Sequence, residues 1–468
     1  MRAEPQSYRP GRRGPLLAAV AITIPGSALG LAQLLQTVDL PGGEPGLAGA
    51  QWVGAPELAP ALQVLLYGLA VIGAAFLLGW AAEAAQLDVS ASLAIGALAL
   101  VAVLPEYAVG FVFAWKGGND VQRFGPSCQP PGSQGQSDCT LVLANMTGAN
   151  RLLIGVGWAL VVLVAWWRWR QRGERRSGIV LSRGKSVELS YLALACAYSL
   201  TLPLKRSVSL FDAVILVGIF VAYVVRISRA PAETPVLIGP AAWLGALPRA
   251  TRRRAVAGLF LVAATVILLV AEHFAESLKE TGAQLGVSEF VLVQWVAPLA
   301  SEAPELLVAG MFAWRLKTDQ ALTTLVSSKV NQWTLLVGTL PVVFALASGS
   351  VRGLPMDTLP RQEVLLTASQ TVFALAILFN LELSVREALA LFGLFWAQFV
   401  IGALVPSSAH GVELLVVSAA YLVAGGALMV RHRGDLRMRM RDGFFTPYEV
   451  LEPEATAMAA DEEREAAT

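Results

Sequence analysis

The chain has 468 residues, of which 55% are hydrophobic and 15% charged, and its mean hydropathy is +0.59, far too apolar for an ordinary soluble domain. Its 35 basic and 34 acidic residues leave a net charge of +1, which gives no argument for a nucleic-acid partner. Three cysteines are too few for a disulfide framework.

Apolar runs of about 18 to 25 residues, the length that crosses roughly 30 Å of hydrocarbon, recur from end to end. They predict an all-α polytopic membrane protein. Spans are expected near 15–37, 60–84, 91–115, 140–168, 186–204, 208–228, 255–277, 289–314, 320–347, 361–380, 386–405 and 412–430, about 12 in all. Arg2, Arg9, Arg12 and Arg13 precede the first run, which has no convincing cleavage site and reads as a retained helix. Basic residues also gather at Arg168 to Arg176, Arg249 to Arg254 and Arg431 to Arg441. With twelve spans all these clusters fall on one side, so both termini are expected in the cytoplasm of a multi-pass plasma (inner) membrane protein. The loops at 38–58 and 116–139 then lie outside. The second holds Cys128 and Cys139, a pair if that space is oxidising; Cys196 is expected to pack in an apolar run.

Two segments carry the same unusual pattern. Leu104-Pro-Glu-Tyr-Ala-Val-Gly-Phe-Val-Phe-Ala-Trp-Lys116 and Ala303-Pro-Glu-Leu-Leu-Val-Ala-Gly-Met-Phe-Ala-Trp-Arg315 each set a Pro-Glu pair in an apolar run, then Phe-Ala-Trp and a basic residue at equal spacing. A carboxylate inside a bilayer span is costly and marks a functional site. The first segment runs outward and the second inward, so the halves are inverted repeats, an arrangement found in secondary transporters. The likeness extends upstream, Ala85 to Ser90 against Ala283 to Ser288, and downstream, Asn150 to Gly157 against Asn331 to Gly338. The expected organisation follows. Residues 1–58 form a basic amino terminus, an extra helix and an external loop; 59–228 a five-helix repeat; 229–254 a basic connector; and 255–405 an inverted five-helix repeat. An extra helix follows over 406–431, then a tail over 432–468, mostly disordered from Arg441 onward.

Proline in a helix cannot donate to the carbonyl four residues back, so Pro105 frees that of Val101 and Pro304 that of Ala300. Freed carbonyls beside Glu106 and Glu305 make a hard oxygen site for Na⁺ or Ca²⁺. Glu302 lies three residues before Glu305, on roughly the same helical face, where the two share a proton, hold a cation jointly, or where Glu302 pairs with a buried base. The bases at hand are Arg151 and Lys329. Asn145, Thr147, Asn150, Ser327, Ser328, Asn331 and Gln332 supply neutral ligands or interhelical hydrogen bonds.

These residues resemble the sodium/calcium exchanger superfamily, the cation/calcium antiporters, over about residues 60 to 405. Leu104-Pro-Glu106 and Ala303-Pro-Glu305 match the end of its G-T-S-L-P-E-like motif. Ala144-Asn-Met-Thr-Gly-Ala-Asn150 resembles its G-N-x-x-G-S-N-like motif, and Thr323 to Gln332 occupies that place in the second half. The resemblance implies two inverted five-helix repeats with Glu106 and Glu305 as central cation ligands, joined by Glu302, Ser301, Asn150, Thr147, Ser328, Asn331 and Gln332. Val101-Ala-Val103 replaces the family's Gly-Thr-Ser, and Glu302 stands where the family has serine. One alignment puts Leu153 at a distal Asn position of the family and another puts Arg151 there.

Counting three glutamates against Arg151 and Lys329 leaves the centre near −1, poorer for Ca²⁺ than for Na⁺ or H⁺. The expectation is therefore a secondary active cation antiporter using Na⁺ and/or H⁺, with Arg151 or Lys329 as a selectivity element or tethered cation surrogate. Na⁺/Ca²⁺ or H⁺/Ca²⁺ exchange, and a non-transporting scaffold, are the alternatives. No enzyme is expected: His273, His410 and His432 form no H-E-x-x-H motif, and there is no P-loop. The expected partners are the lipid bilayer and transported cations, with no cofactor.

Overall fold

The computed structural model describes residues 13–37, 58–88, 104–132, 136–231, 237, 239–287, 289–405 and 409–453. The loop expected at 38–58 and most of the span expected at 91–115 lie outside them. In chain order the helices are α1 (Gly14–Thr37), α2 (Pro60–Ala85), α3 (Leu104–Phe124), α4 (Asp138–Leu152), α5 (Ala159–Gln171), α6 (Ser186–Ser199), α7 (Leu210–Ile227), α8 (Gly239–Gly245), α9 (Arg249–Leu285), α10 (Glu289–Trp314), α11 (Thr318–Asn331), α12 (Val337–Ser348), α13 (Thr358–Leu378), α14 (Val385–Leu404), α15 (His410–Arg431), α16 (Arg433–Phe445) and α17 (Tyr448–Leu451). Among the described residues nine helices are long and apolar enough to cross a membrane, or ten when the bent α10 counts as one. The expected count of 12 is thus not reached by that test. α3 carries Glu106, Lys116, Asp120 and Arg123, and α13 carries Arg361, Glu363 and a run of hydroxyl and amide side chains.

The chain divides into two compact units, each drawing on both halves of the sequence. The first comprises residues up to Pro105 together with Glu233–Ser277. In it α1 packs on α2, where Tyr67 donates to Gln33 and stacks on His273 at 5.8 Å. Asp88, just past α2, takes two hydrogen bonds from Arg252, at 2.7 and 2.9 Å. That guanidinium holds the Asp88 carboxyl below the usual carboxylate range.

The second unit, Glu106–Ala232 with Leu278–Thr468, contains its own internal inversion. α4 and α5 form one helix interrupted by a π-turn at Leu153–Trp158; α11 and α12 form another, interrupted at Gln332–Leu336. Wide turns of this kind recur at functional sites, and here they sit at corresponding places in the two halves. Two short antiparallel ladders repeat the relation. β1 (Gly178–Val180) follows α5, β2 (Ser207–Val208) precedes α7, β3 (Leu354–Pro355) follows α12, and β4 (Glu382–Ser384) precedes α14. β1 pairs with β4 and β2 with β3, so exchanging the halves maps one ladder onto the other. Each ladder needs a glycine: a Cβ on Gly178 would lie 2.7 Å from the Leu383 carbonyl oxygen, and one on Gly353 2.4 Å from that of Val208. Both following helices open with a capping box, Ser209 with Asp212 and Ser384 with Glu387, which satisfies first-turn N–H groups.

Cys128 and Cys139 are disulfide-bonded, and Cys196 is buried with its thiol donating to the Ala368 carbonyl at 3.4 Å. The tail departs from expectation. From Arg441 onward, residues up to Phe445 and Tyr448–Leu451 are helical rather than disordered, and α16 packs on α6. The reason is a set of specific contacts that local composition does not reveal. Arg183 clasps Asp442 through bonds of 2.7 and 2.8 Å, Arg226 donates to the carbonyls of Gly443 and Thr446 at the end of α16, and Arg226 lies 4.8 Å from the Tyr448 ring. Arg183 also holds the Asp442 carboxyl below the usual carboxylate range. Residues 454–468 lie outside the described set.

Candidate functional site

The site lies wholly within the second unit, where α4 packs closely against α10. At Gly148 the approach is so tight that an added Cβ would fall 1.7 Å from the Gln294 carbonyl oxygen, so only glycine fits. α10 bends by 53° between its segments Phe290–Ala303 and Glu305–Trp314. A proline removes one hydrogen bond of the helical ladder there, which is an ordinary cause of such a kink. The bend falls between Glu302 and Glu305.

Glu106 and Glu302 are buried, and Glu305 is partly exposed. The Gln332 amide ties the first two together, donating to Glu106 Oε2 at 3.2 Å and Glu302 Oε1 at 2.7 Å. Ser328 donates to Glu305 Oε2 at 2.6 Å. With all carboxylates ionised, Glu106 Oε1, Glu302 Oε2, Gln332 Oε1, Asn145 Oδ1 and Asn150 Oδ1 are buried oxygens without a hydrogen-bond donor. Buried acceptors left unpaired are costly. Protons or a cation are what such oxygens call for.

The other expected residues divide by what they touch. The Asn150 amide donates to the Met146 carbonyl at 3.0 Å, while its own carbonyl accepts from the Lys329 ammonium. Asn331 Oδ1 accepts from Tyr107, the neighbour of Glu106, at 3.0 Å. Thr147 donates to Leu143 and Ala144 carbonyls of its own helix and accepts from Gln294 at 3.3 Å. Ser301 donates to Ala297 and Pro298. Those two hydroxyls serve helix packing in this arrangement. Val101 is outside the described residues.

The two bases have different surroundings. Arg151 donates to Glu363 at 2.6 Å, both side chains being 3% exposed, and its guanidinium lies 4.9 Å from the Trp295 ring. It has its own counter-charge. Lys329 is fully buried and sits 5.7 Å from the Trp333 ring. Among the described residues no carboxylate lies within 4.0 Å of it. The charge count changes accordingly. With the neutral Arg151–Glu363 pair set aside, three ionised carboxylates and a protonated Lys329 would sum to −2 rather than −1.

Glu363, Gln294, Trp295 and Tyr107 are absent from the sequence-based set. Glu363 sits two residues inside the edge of the span expected at 361–380 and so reads as an interfacial charge. Gln294 carried a usable signal, being a polar residue inside an apolar run. Among the described residues no group of three His, Cys, Asp or Glu side chains has the arrangement of a metal site.

Inverted halves, paired π-turns and a buried carboxylate cluster define a helical membrane transporter of cations. The family model described as sodium/calcium exchanger protein matches residues 59–228 and 255–404, and the chain belongs to that family. Among solved structures it is similar to an H⁺/Ca²⁺ exchanger, CAX, at 37% identity and a TM-score of 0.76, over 92% of this chain and 98% of that one. The fold is also similar to that of YfkE, at 14% identity and a TM-score of 0.54, over 86% of this chain and 99% of that one. The sodium-calcium exchanger NCX_Mj is 15% identical with a TM-score of 0.45, over 74% and 98% of the two chains. No curated protein matches the sequence.

Proposed function

We propose that this chain exchanges protons for Ca²⁺ across the membrane at the Glu106–Glu302–Glu305 cluster. The observation that carries this reading is the buried cluster itself: the Gln332 amide bridges Glu106 and Glu302, Ser328 holds Glu305, and one oxygen each of Glu106 and Glu302 has no donor. Ionised carboxylates only accept hydrogen bonds and repel one another, so carboxyls gathered in one buried cluster call for protons or a cation. Two protons make the cluster −1, and a protonated Lys329 would bring the centre to neutral. One Ca²⁺ in their place gives the same total charge. Ca²⁺ binds six to eight oxygens, and the donor-free oxygens of Glu106, Glu302, Gln332, Asn145 and Asn150 are candidates to supply them. The similarity to CAX supports the same ion pair.

A transporter of this kind exposes one site to the two sides in turn, the usual use of inverted repeats. Either load neutralises the centre, and neutral loads cross an apolar barrier at far lower cost than an unfilled −2 site. The ion gradients then supply the work, with no cofactor. Both termini face the cytoplasm in this reading because Arg168 to Arg176, Arg249 to Arg254 and Arg431 to Arg441 share one side.

The test is Ca²⁺ uptake into proteoliposomes of purified protein, acidic inside and alkaline outside. Uptake is expected to require the pH gradient, to be indifferent to Na⁺, and to vanish in Glu305→Gln. Uptake driven by an outward Na⁺ gradient at equal pH would replace protons by Na⁺ in the account. No uptake by folded protein would favour a non-transporting scaffold.

A further inference from the structure

We infer that α16 lies in the membrane–water interface and binds anionic phospholipid through Arg433, Arg437 and Arg441. Its neighbours set its depth. α15 is long and apolar enough to cross a membrane and ends at Arg431, and α16 begins at Arg433, so one residue separates a span from this helix. Two more membrane-length segments, Arg183–Leu204 and Leu210–Ile227, meet α16 at their own ends. Arg183 opens the first and bonds Asp442 of α16, while Arg226 closes the second and donates to the Gly443 carbonyl at 2.9 Å. Three spans thus begin or end where α16 lies, which places the helix at the level of the headgroups.

One face of α16 is closed by the protein. The Ser190 hydroxyl donates to the Arg439 carbonyl at 3.0 Å, and a Cβ on Gly443 would fall 2.1 Å from that same hydroxyl oxygen. Asp442 is bonded to both Arg183 and Arg439, at 2.7 and 3.3 Å. The outer face is different. Arg433, Arg437 and Arg441 recur at every fourth residue and so line one side of the helix. All three are exposed, and none forms an ion pair among the described residues. Asp435, the other acid of the helix, lies at least about 120° round from each of them. Met438 and Phe445, 42% and 80% exposed, fall between the arginine row and Asp442.

A basic row with an apolar flank suits a leaflet containing anionic lipid. The guanidinium groups meet headgroup phosphates, and Met438 and Phe445 enter the acyl boundary. Arginine fits phosphate through paired N–H donors. An acidic protein could also match the charge, but the spans that border α16 bring the bilayer to this face. The lipid contact would hold the outer side of α16 as α6 and Arg226 hold the inner side.

The experiment places the full chain in bilayers with a maleimide fluorophore on Phe445→Cys. Cys196 is buried and Cys128 is bonded to Cys139, so the new thiol takes the label. Doxyl-labelled phosphatidylglycerol or phosphatidylcholine is then added at the same low mole fraction. One basic residue at an anionic surface changes partitioning by about fivefold, so phosphatidylglycerol is expected to quench at least about fivefold more effectively. That preference is expected to shrink in 1 M salt, where the Debye length is about 3 Å. It is expected to survive when Arg433, Arg437 and Arg441 are all replaced by Lys and to vanish when all three are replaced by Gln. Equal quenching by the two lipids overturns the inference, because the contact is then apolar without headgroup recognition. Quenching by neither lipid overturns it as well. Acrylamide then tells a face open to water, where it quenches, from one covered by protein, where it does not. If the triple variants do not fold, the comparison of the two lipids on Phe445→Cys alone decides.

Discussion

Glu106→Gln is expected to lower pH-driven Ca²⁺ uptake by more than about 100-fold, beyond the 10–100-fold typical of losing an outer-shell partner of a metal site. Glu106 is buried, and one of its oxygens lacks any donor. The substitution removes a negative ligand, leaving a −1 centre that Ca²⁺ overfills to +1 and that must then cross an apolar barrier charged. Shape is nearly unchanged, and the Gln332 amide still has Glu302 as an acceptor. The folded state should therefore survive, which a thermal melt in detergent checks alongside the flux. Wild-type flux with Glu106→Gln would remove this carboxylate from the site.

The second large effect concerns the buried Arg151–Glu363 pair, of which the sequence reading named only Arg151. Glu363→Ala leaves the Arg151 guanidinium buried without its counter-charge, a change that ordinarily costs about 3–5 kcal/mol. Arg is charged under all ordinary conditions, so it cannot escape by losing a proton. A large drop in melting temperature is expected. Replacing both partners, Arg151→Met with Glu363→Leu, is expected to recover most of that loss, because hydrophobic residues of similar volume often substitute for a buried pair without penalty. The double variant is also expected to keep H⁺-coupled Ca²⁺ uptake, since the pair contributes no net charge to the centre. A stable double variant with altered ion selectivity would return Arg151 to the role of cation surrogate.

Much of the fold is legible because a membrane imposes simple rules. Most helices fall at the predicted spans in the described residues, since hydrocarbon requires long apolar runs with every backbone group satisfied internally; α3 instead runs on to Phe124, into the loop expected at 116–139. The repeat was visible in Pro-Glu, Phe-Ala-Trp and Asn150 against Asn331. The ladders were not: β1 to β4 are two or three residues long, and Gly178 and Gly353 look like ordinary loop glycines until the backbones meet. The docked tail was misjudged from its charge. Asp442 and Arg439 are typical of a solvated helix unless Arg183 and Arg226 are known to face them.

The site shows the same limit. Glu106, Glu302 and Glu305 stand out because carboxylates are rare within spans, and Gln332 and Ser328 fall in the matching motif. What sequence alone did not give was which base faces which acid. Arg151 and Lys329 are equivalent in composition, yet one has a private partner 212 residues away and the other does not. That single pairing takes Arg151 out of the charge count on which the proposed cargo depends. Charge counts in membrane sites depend on pairing, and pairing is a tertiary property.

The most direct test of competition between protons and Ca²⁺ for these carboxyls is the number of protons released per Ca²⁺ bound. Calorimetric titration of purified wild type in buffers of different protonation enthalpy, at one pH and ionic strength, gives that number. About two protons per ion are predicted. Ca²⁺ binding that releases none would contradict the account, because the ion would then occupy oxygens that protons never held.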